Sequence, residues 1–370
     1  MLVIPTLDQS GAEKQLTLLA THLPREQYDV RVVALTRGGP YADELSRAGI
    51  PLTVLGKRWK FDPFCLRKLS RQIREWQPDI VHTWLFAANS YGRMVAGGRG
   101  QPPVIVSERC VDSWKQGWQL QLDRWQIRRT ARLVGNSQSV ADFYREQGFP
   151  AERIRVVTNG IELPQIAAGS LTIAERDRQR AALCGLPPGV KVVGFVGRLA
   201  RQKRTADLIW TMLLLESLRQ DVYLLLIGDG PERESLERYA RDLNLESRIL
   251  FLGHRSDVSA ILPLLDVFCL PSDFEGMSNS VMEAMAHGLP VLASNIPPNR
   301  ELVIDGVTGH LIPVGDRAEF ARVALPLLEH PELAQRLGSA GRDRMANEFS
   351  VAKMVAEYGA VYNEVIAQKP

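Results

Sequence analysis

Two glutamates, Glu275 and Glu283, lie eight positions apart in the run Asp273-Phe-Glu-Gly-Met-Ser-Asn-Ser-Val-Met-Glu-Ala-Met-Ala-His-Gly-Leu-Pro290. A carboxylate pair at that spacing suggests general acid and base work, but the residues between them argue otherwise. An apolar run, Asp266 to Leu270, reads as a short strand ended by Pro271. Ser278 or Asn279 suits a helix N-cap, and Gly288 with Pro290 suits the stop. The two carboxylates then flank a helix N-terminus, whose free N–H groups and dipole favour a phosphate. Glu283, about one turn inside, is placed to accept hydrogen bonds from sugar hydroxyls. Glu275, ahead of the helix, lies near whatever the phosphate carries.

A second run supplies cations. Gly197-Arg198-Leu-Ala-Arg201-Gln-Lys203-Arg204 follows an apolar strand pattern, Val192–Val196. Arg198 and Lys203 suit a diphosphate clamp, the arginine by a two-pronged bond and the lysine as a point charge. The competing reading is a charged turn facing solvent. Gly11, in Asp8-Gln-Ser-Gly-Ala-Glu13 after the first strand, permits close approach of the backbone to a ligand, or simply makes a turn. His82 ends a strand in Asp79-Ile-Val-His-Thr-Trp84; a lone histidine is more often a satisfied structural residue than a catalyst, and a place on the acceptor or sugar side is the other reading. His254, in Gly253-His-Arg255, could frame a flat base. No Gly-x-Gly-x-x-Gly or Gly-x-x-x-x-Gly-Lys signature is present, which disfavours a nicotinamide enzyme and a nucleoside triphosphatase. No metal motif occurs either, so the cationic loop is expected to hold the phosphates without a metal.

These loops need strands and helices to carry them. The chain of 370 residues fits two domains, and its 45% apolar and 24% charged residues are those of a globular protein. Strand patterns fall at 2–4, 30–35, 52–55, 80–83, 104–107, 133–135 and 154–157. After a change of texture they resume at 192–196, 223–227, 249–252, 267–270, 291–293 and 310–312. Leu16, Leu19, Ala20 and Leu23 between the first two have helical spacing. Strands alternating with helices predict an α/β protein with two doubly wound, Rossmann-like domains facing a central cleft. The expected division is residues 1–163, a linker over 164–189 marked by Leu186-Pro-Pro-Gly189, and residues 190–350. The final segment, 351–370, reads as a helix that packs back on the first domain.

Four widely spaced cysteines point to a reducing cytosol, and no signal-peptide or membrane-spanning pattern is seen. Residues 1–163 hold 23 Lys and Arg against 16 Asp and Glu, so the first half is basic. An anionic membrane or substrate fits that charge; nucleic acid is disfavoured, since no recognition motif accompanies it. Trp114, Trp118 and Trp125, among Lys115, Arg124, Arg128 and Arg129, could touch a membrane interface, but a helix packed on the sheet is the expected reading.

In sum these motifs resemble the retaining glycosyltransferases of family 4 (group 1), which have the GT-B architecture. The similarity is carried by Gly11-Ala-Glu13, Val134-Gly-Asn-Ser137, Val157-Thr-Asn-Gly-Ile161, Gly197-Arg-Leu199 with Lys203, Ile227-Gly-Asp-Gly-Pro231, Phe251-Leu-Gly-His254 and Phe274-Glu-Gly-Met-Ser-Asn-Ser-Val-Met-Glu-Ala-Met285. They run through most of the chain in the family's order. The resemblance implies that Arg198 and Lys203 grip the diphosphate of a sugar nucleotide and that Glu283 holds its ribose. It implies that Glu275 touches the donor sugar, with Gly276, Met277, Ser278, Asn279 and Ser280 around the β-phosphate. It also implies transfer of a hexose-type sugar with retention, without metal or other cofactor. The acceptor would be a sugar, a glycolipid or a polyprenyl-linked oligosaccharide.

Many members carry a histidine after the strand at 104–107. Here the loop reads Ser107-Glu-Arg-Cys110, so Glu108 or Arg109 occupies the acceptor or sugar side, as in members that build cell-surface polysaccharides. The loops 57–62 and 110–117, with Lys57, Arg58, Lys60, Lys115, Trp59 and Trp114, are expected to meet an anionic or lipid-linked acceptor and to touch the inner face of a membrane. Two alternatives remain: a nucleotide-sugar epimerase of the same architecture, and a non-catalytic sugar-nucleotide-binding subunit.

Overall fold

The computed structural model describes residues 1–111, 115–165 and 168–368. They form two compact units, one of Met1–Gly160 with Val351–Pro370 and the other of Ile161–Ser350. Both are Rossmann-like, with a parallel sheet between helices.

The strands of the first unit are β1 (Leu2–Ile4), β2 (Val32–Ala34), β3 (Leu52–Val54), β4 (Val81–Trp84), β5 (Val104–Glu108), β6 (Arg132–Gly135) and β7 (Ile154–Val156). They pair in the order β3-β2-β1-β4-β5-β6-β7, all parallel. Alternate residues feed two cores, because successive side chains leave a strand on opposite faces. Ile4, Ala34, Ile105 and Val134 pack on one side with Leu16, Leu19 and Tyr358. Val3, Val33, Val106 and Leu133 pack on the other with Leu69, Ile73 and Tyr91. Burial of both faces explains why these strands read as unbroken apolar runs.

The second unit contains β8 (Lys191–Val196), β9 (Val222–Ile227), β10 (Ile249–Gly253), β11 (Val267–Leu270), β12 (Val291–Ser294) and β13 (Gly309–Ile312). Their order is β10-β9-β8-β11-β12-β13, again parallel throughout. All thirteen strands lie where apolar runs announce them, to within two residues at either end.

The stretch 164–189 departs from the expected linker. It carries a helix, Ile173–Cys184, opened by a capping box between Thr172 and Glu175. Arg180 on that helix is buried, donating to the carbonyls of Leu264 (2.8 Å) and Val190 (2.6 Å) and to Asp266 (2.7 Å). A charged run looks like a solvated linker in sequence, but here one of its arginines staples the helix into the second unit.

The last helix, Val351–Ala367, packs against Gly11–His22. Its Met354, Tyr358, Val361, Tyr362 and Val365 complete one core layer of the first unit. Glu364 fastens it further, accepting from Arg132 (2.8 Å) and Arg155 (3.0 Å). Those two guanidinium groups hold its carboxyl down at about 2.

Candidate active site

In a doubly wound sheet, ligands bind beyond the carboxyl ends of the strands, where the strand order reverses. In the second unit that point lies between β8 and β11. The loop after β8 is the cationic run, and the loop after β11 is the one that bears Glu275.

Four contacts lace these two loops together. The Asp273 amide donates to the Gln202 carbonyl (2.9 Å), and Gln202 Nε2 donates to the Phe274 carbonyl (2.6 Å). Lys203 Nζ pairs with Glu275 Oε1 at 2.5 Å. Arg204 bridges Asp207 (2.6 Å) and Asp273 (3.1 Å). Arg204 has φ +48°, a left-handed conformation that costs a non-glycine residue about 1–2 kcal/mol. Its two ion pairs hold it there, and it starts the helix Thr205–Leu218. The turn after β9 braces the cationic loop from the other side. A Cβ on Gly228 would stand 1.9 Å from the Gly197 carbonyl oxygen, and one on Gly230 would stand 2.3 Å from that of Leu199.

Glu275, Gly276, Met277 and Ser278 are buried, while Asn279, Ser280 and Glu283 are half-buried. The helix Asn279–Ala286 starts at Ser278, whose side chain makes no capping bond; Ser278 Oγ and Ser280 Oγ lie 3.2 Å apart. At the other end His287 Nδ1 contacts the Glu283 carbonyl (2.8 Å), and burial lowers its pKa. The Arg198 side chain is exposed, and among the described residues it meets no ion pair or hydrogen bond. The structure thus joins Lys203 with Glu275 and leaves Arg198 open to a ligand. His254 lies just past the edge strand β10, exposed, and β10 is two strands from β8.

In the first unit the order reverses between β1 and β4. Gly11 is exposed at the start of the helix that follows β1. Arg109, just past β5, is held on three sides. It donates to Tyr358 Oη (3.1 Å) and Asn159 Oδ1 and lies over the Trp84 ring at 4.5 Å.

In this unit the structure takes the structural reading of His82 and departs from the expectations for Glu108 and Lys115. His82 is 1% exposed, with Nδ1 2.7 Å from Tyr362 Oη and Nε2 2.8 Å from Ser107 Oγ. Both ring nitrogens are engaged, and burial drives its pKa well below the usual value. It is a neutral structural histidine tying β4 to the last helix, not a contact for sugar. Glu108 is buried as well, facing Lys115 (3.5 Å), which in turn reaches Asp123 (3.0 Å) and Tyr144 Oη (2.6 Å). Lys115, expected at the surface, is therefore an interior counter-charge. Trp114 lies outside the described residues. The helix Gly117–Gln126 also differs from expectation: Trp118 and Trp125 point to solvent rather than to the sheet.

Gln202, Asp273, Asn159 and Tyr358 also belong to these sites; the first three lie inside the motifs quoted above, but the sequence assigns none of the four a role. Each acts through a partner far along the chain.

Two all-parallel Rossmann-like units define a protein of GT-B architecture. The glycosyl transferases group 1 family matches residues 177–344, and glycosyltransferase family 4 matches residues 9–165. The chain belongs to this family and is a glycosyltransferase. A galactosyltransferase of Escherichia coli, UDP-Gal:alpha-D-GlcNAc-diphosphoundecaprenol alpha-1,3-galactosyltransferase, is 29% identical over 94% of this chain and 92% of its own. The lipopolysaccharide core biosynthesis glycosyltransferase LpsE of Rhizobium meliloti is 29% identical over 82% and 80%. Among solved structures, Anabaena Alr3699/HepE in complex with UDP and glucose superposes with a TM-score of 0.85 at 21% identity, covering 98% of this chain and 100% of that one.

Proposed function

We propose that this glycosyltransferase moves a hexose-type sugar, with retention of configuration and without a metal, from a uridine diphosphate sugar to a diphospholipid-linked saccharide or glycolipid during cell-surface polysaccharide synthesis. The observation that carries the reading is the laced pair of loops at the β8/β11 reversal. There Arg198, Lys203, Glu275 and the helix start at Ser278 belong to adjacent strand ends. The names of the Escherichia coli and Rhizobium relatives and the ligands of the Anabaena enzyme support the donor and acceptor classes.

In this reading the diphosphate lies between Arg198 and Lys203 and the amides at Ser278–Ser280. Glu283 accepts from the ribose hydroxyls, and Glu275 touches the sugar while orienting Lys203. The bond from C1 to the β-phosphate oxygen breaks as the acceptor hydroxyl oxygen bonds C1 from the same face. The hydroxyl proton passes to the departing phosphate oxygen, and nucleoside diphosphate leaves. Preset cations that stabilise the growing phosphate charge lower the barrier most effectively where water is excluded.

The test is turnover of uridine diphosphate sugars with a polyprenyl-diphosphate saccharide, in chelator, with product stereochemistry read by NMR. An α-donor should give an α-product at full rate. A β-product would refute retention, loss of rate in chelator would refute metal independence, and acceptor-free isomerisation would support an epimerase instead.

A further inference from the structure

The buried arginines among the described residues meet carboxylates: Arg93 pairs with Asp123, Arg132 with Glu364 and Arg180 with Asp266. Arg109, which is half-buried, meets none among the described residues. Its hydrogen-bond partners are neutral, the Tyr358 hydroxyl at 3.1 Å and the Asn159 amide oxygen, and its third neighbour is the face of Trp84. Two of its five N–H donors are used, and loss of water is the main influence on its pKa, which is lowered. A charge partly drawn out of water without a counter-charge is costly unless a ligand supplies one.

The surroundings fix where that fork stands. Asn136 Nδ2 grips the Arg109 carbonyl at 3.2 Å, so the strand end is held at its backbone as well as its side chain. The Trp84 indole N–H is buried with no hydrogen-bond partner. Leu85, next in sequence, has φ +68°, a strained conformation for a branched side chain. Trp84 ends β4 and Arg109 follows β5, beside the reversal between β1 and β4 where a sheet of this order takes ligands.

We propose that Arg109 is a binding residue for a phosphate-type anion in the first unit. Resting on the reading above, that anion is the diphosphate through which a lipid-linked acceptor carries its sugar. A planar fork suits a phosphate better than the point charge of a lysine. A neutral side chain here would not supply the counter-charge.

The test has two arms. First, inorganic pyrophosphate is titrated by calorimetry into the full chain carrying Lys203→Ala, which disables the donor clamp. Binding should persist and should weaken at least tenfold when Arg109→Gln is added. Unchanged affinity on adding Arg109→Gln, or no binding before it, overturns the anion site, whatever the enzyme's substrates prove to be. Second, Arg109→Gln and Arg109→Lys are assayed in the otherwise native enzyme. Michaelis constants for a diphosphate-linked acceptor should rise at least tenfold and by a smaller factor, respectively. The donor constant and turnover of a phosphate-free acceptor should stay within twofold. A rise in the donor constant alone assigns the anion to the donor and overturns the acceptor assignment. Equal losses with both acceptors, accompanied by a lowered melting temperature, mean a purely structural role and overturn it too. Arg109→Lys keeps the charge, so the comparison stands even where Arg109→Gln folds poorly.

Discussion

Lys203 and Glu275 are 2.5 Å apart, whereas Glu283 sits a helical turn beyond the Ser278 cap, so Lys203 and Glu283 are expected to fail differently. In the proposed reading, Lys203→Ala removes a cation that acts where charge develops on the leaving group. Loss of one such group costs roughly 10²–10³ in kcat, and steady-state turnover at saturating donor would read it. Retained turnover would remove Lys203 from the clamp. Glu283→Ala would, in the same reading, lose ribose hydrogen bonds made equally in the ground and transition states. A charged hydrogen bond contributes about 1.5–3 kcal/mol, or roughly 10- to 100-fold in binding. The donor KM should therefore rise by that factor with kcat nearly kept. A fall in kcat with unchanged KM would mean that Glu283 works at the reacting centre.

At the scale of elements, the strand-end loops are held by backbone contacts that admit no side chain. Gly228 has φ +137°, and an added Cβ would overlap the Gly197 carbonyl at 1.9 Å. Gly228→Ala combines strain with overpacking and should cost at least about 2 kcal/mol. It should also displace the Gly197–Arg198 peptide, so thermal denaturation and donor KM should both worsen; an unshifted melting temperature would contradict the packing argument. The last helix gives a pH signature. Glu364 is held at about 2 by Arg132 and Arg155, below the ordinary glutamate value near 4.3. A carboxyl with a depressed folded pKa binds fewer protons folded than unfolded, so its stabilisation is complete above the unfolded value. That stabilisation is lost as pH falls from there toward about 2. Denaturant unfolding should show Glu364→Gln less stable than the parent at pH 7, with the gap closing through that window. A gap independent of pH would mean that the ion pairs contribute nothing.

Considered as a whole molecule, the chain keeps its basic excess in the first unit and exposes aromatic side chains there. Trp59, Phe61 and Phe64 stand in solvent beside Arg58, Lys60 and Arg67. Phe61 neighbours Tyr91, and Trp118 packs edge-on against Phe86, so the helix Leu85–Val95 lies between this loop and the exposed tryptophans of Gly117–Gln126. Among the described residues no helix is long and apolar enough to cross a membrane. Membrane contact through such a surface would set aromatic rings at the interface and cations over anionic headgroups. Co-sedimentation with anionic liposomes should be strong at low salt, weaker as screening rises, and abolished by Trp59→Ala with Phe61→Ala and Phe64→Ala. Protein left wholly in the supernatant would remove the membrane from the account.

The thirteen strands, the two doubly wound units and the family were legible in sequence because each rests on local pattern: apolar runs buried on both faces, and loop motifs directly after them. The Ser278 cap and the stop at Gly288 were legible for the same reason. Side-chain fate was not. His82 and Lys115 carry the residue types of a surface site, yet strand direction and the partners Tyr362, Ser107 and Asp123 turn them inward. The segment 164–189 reads as a linker until Arg180 finds Leu264 and Asp266, more than eighty residues away. Arg109 shows the division most plainly. Its identity and its place after β5 were determined by the sequence. Its want of a counter-ion was decided by the meeting of Trp84, Asn159 and Tyr358, a juxtaposition that only a closed fold can make.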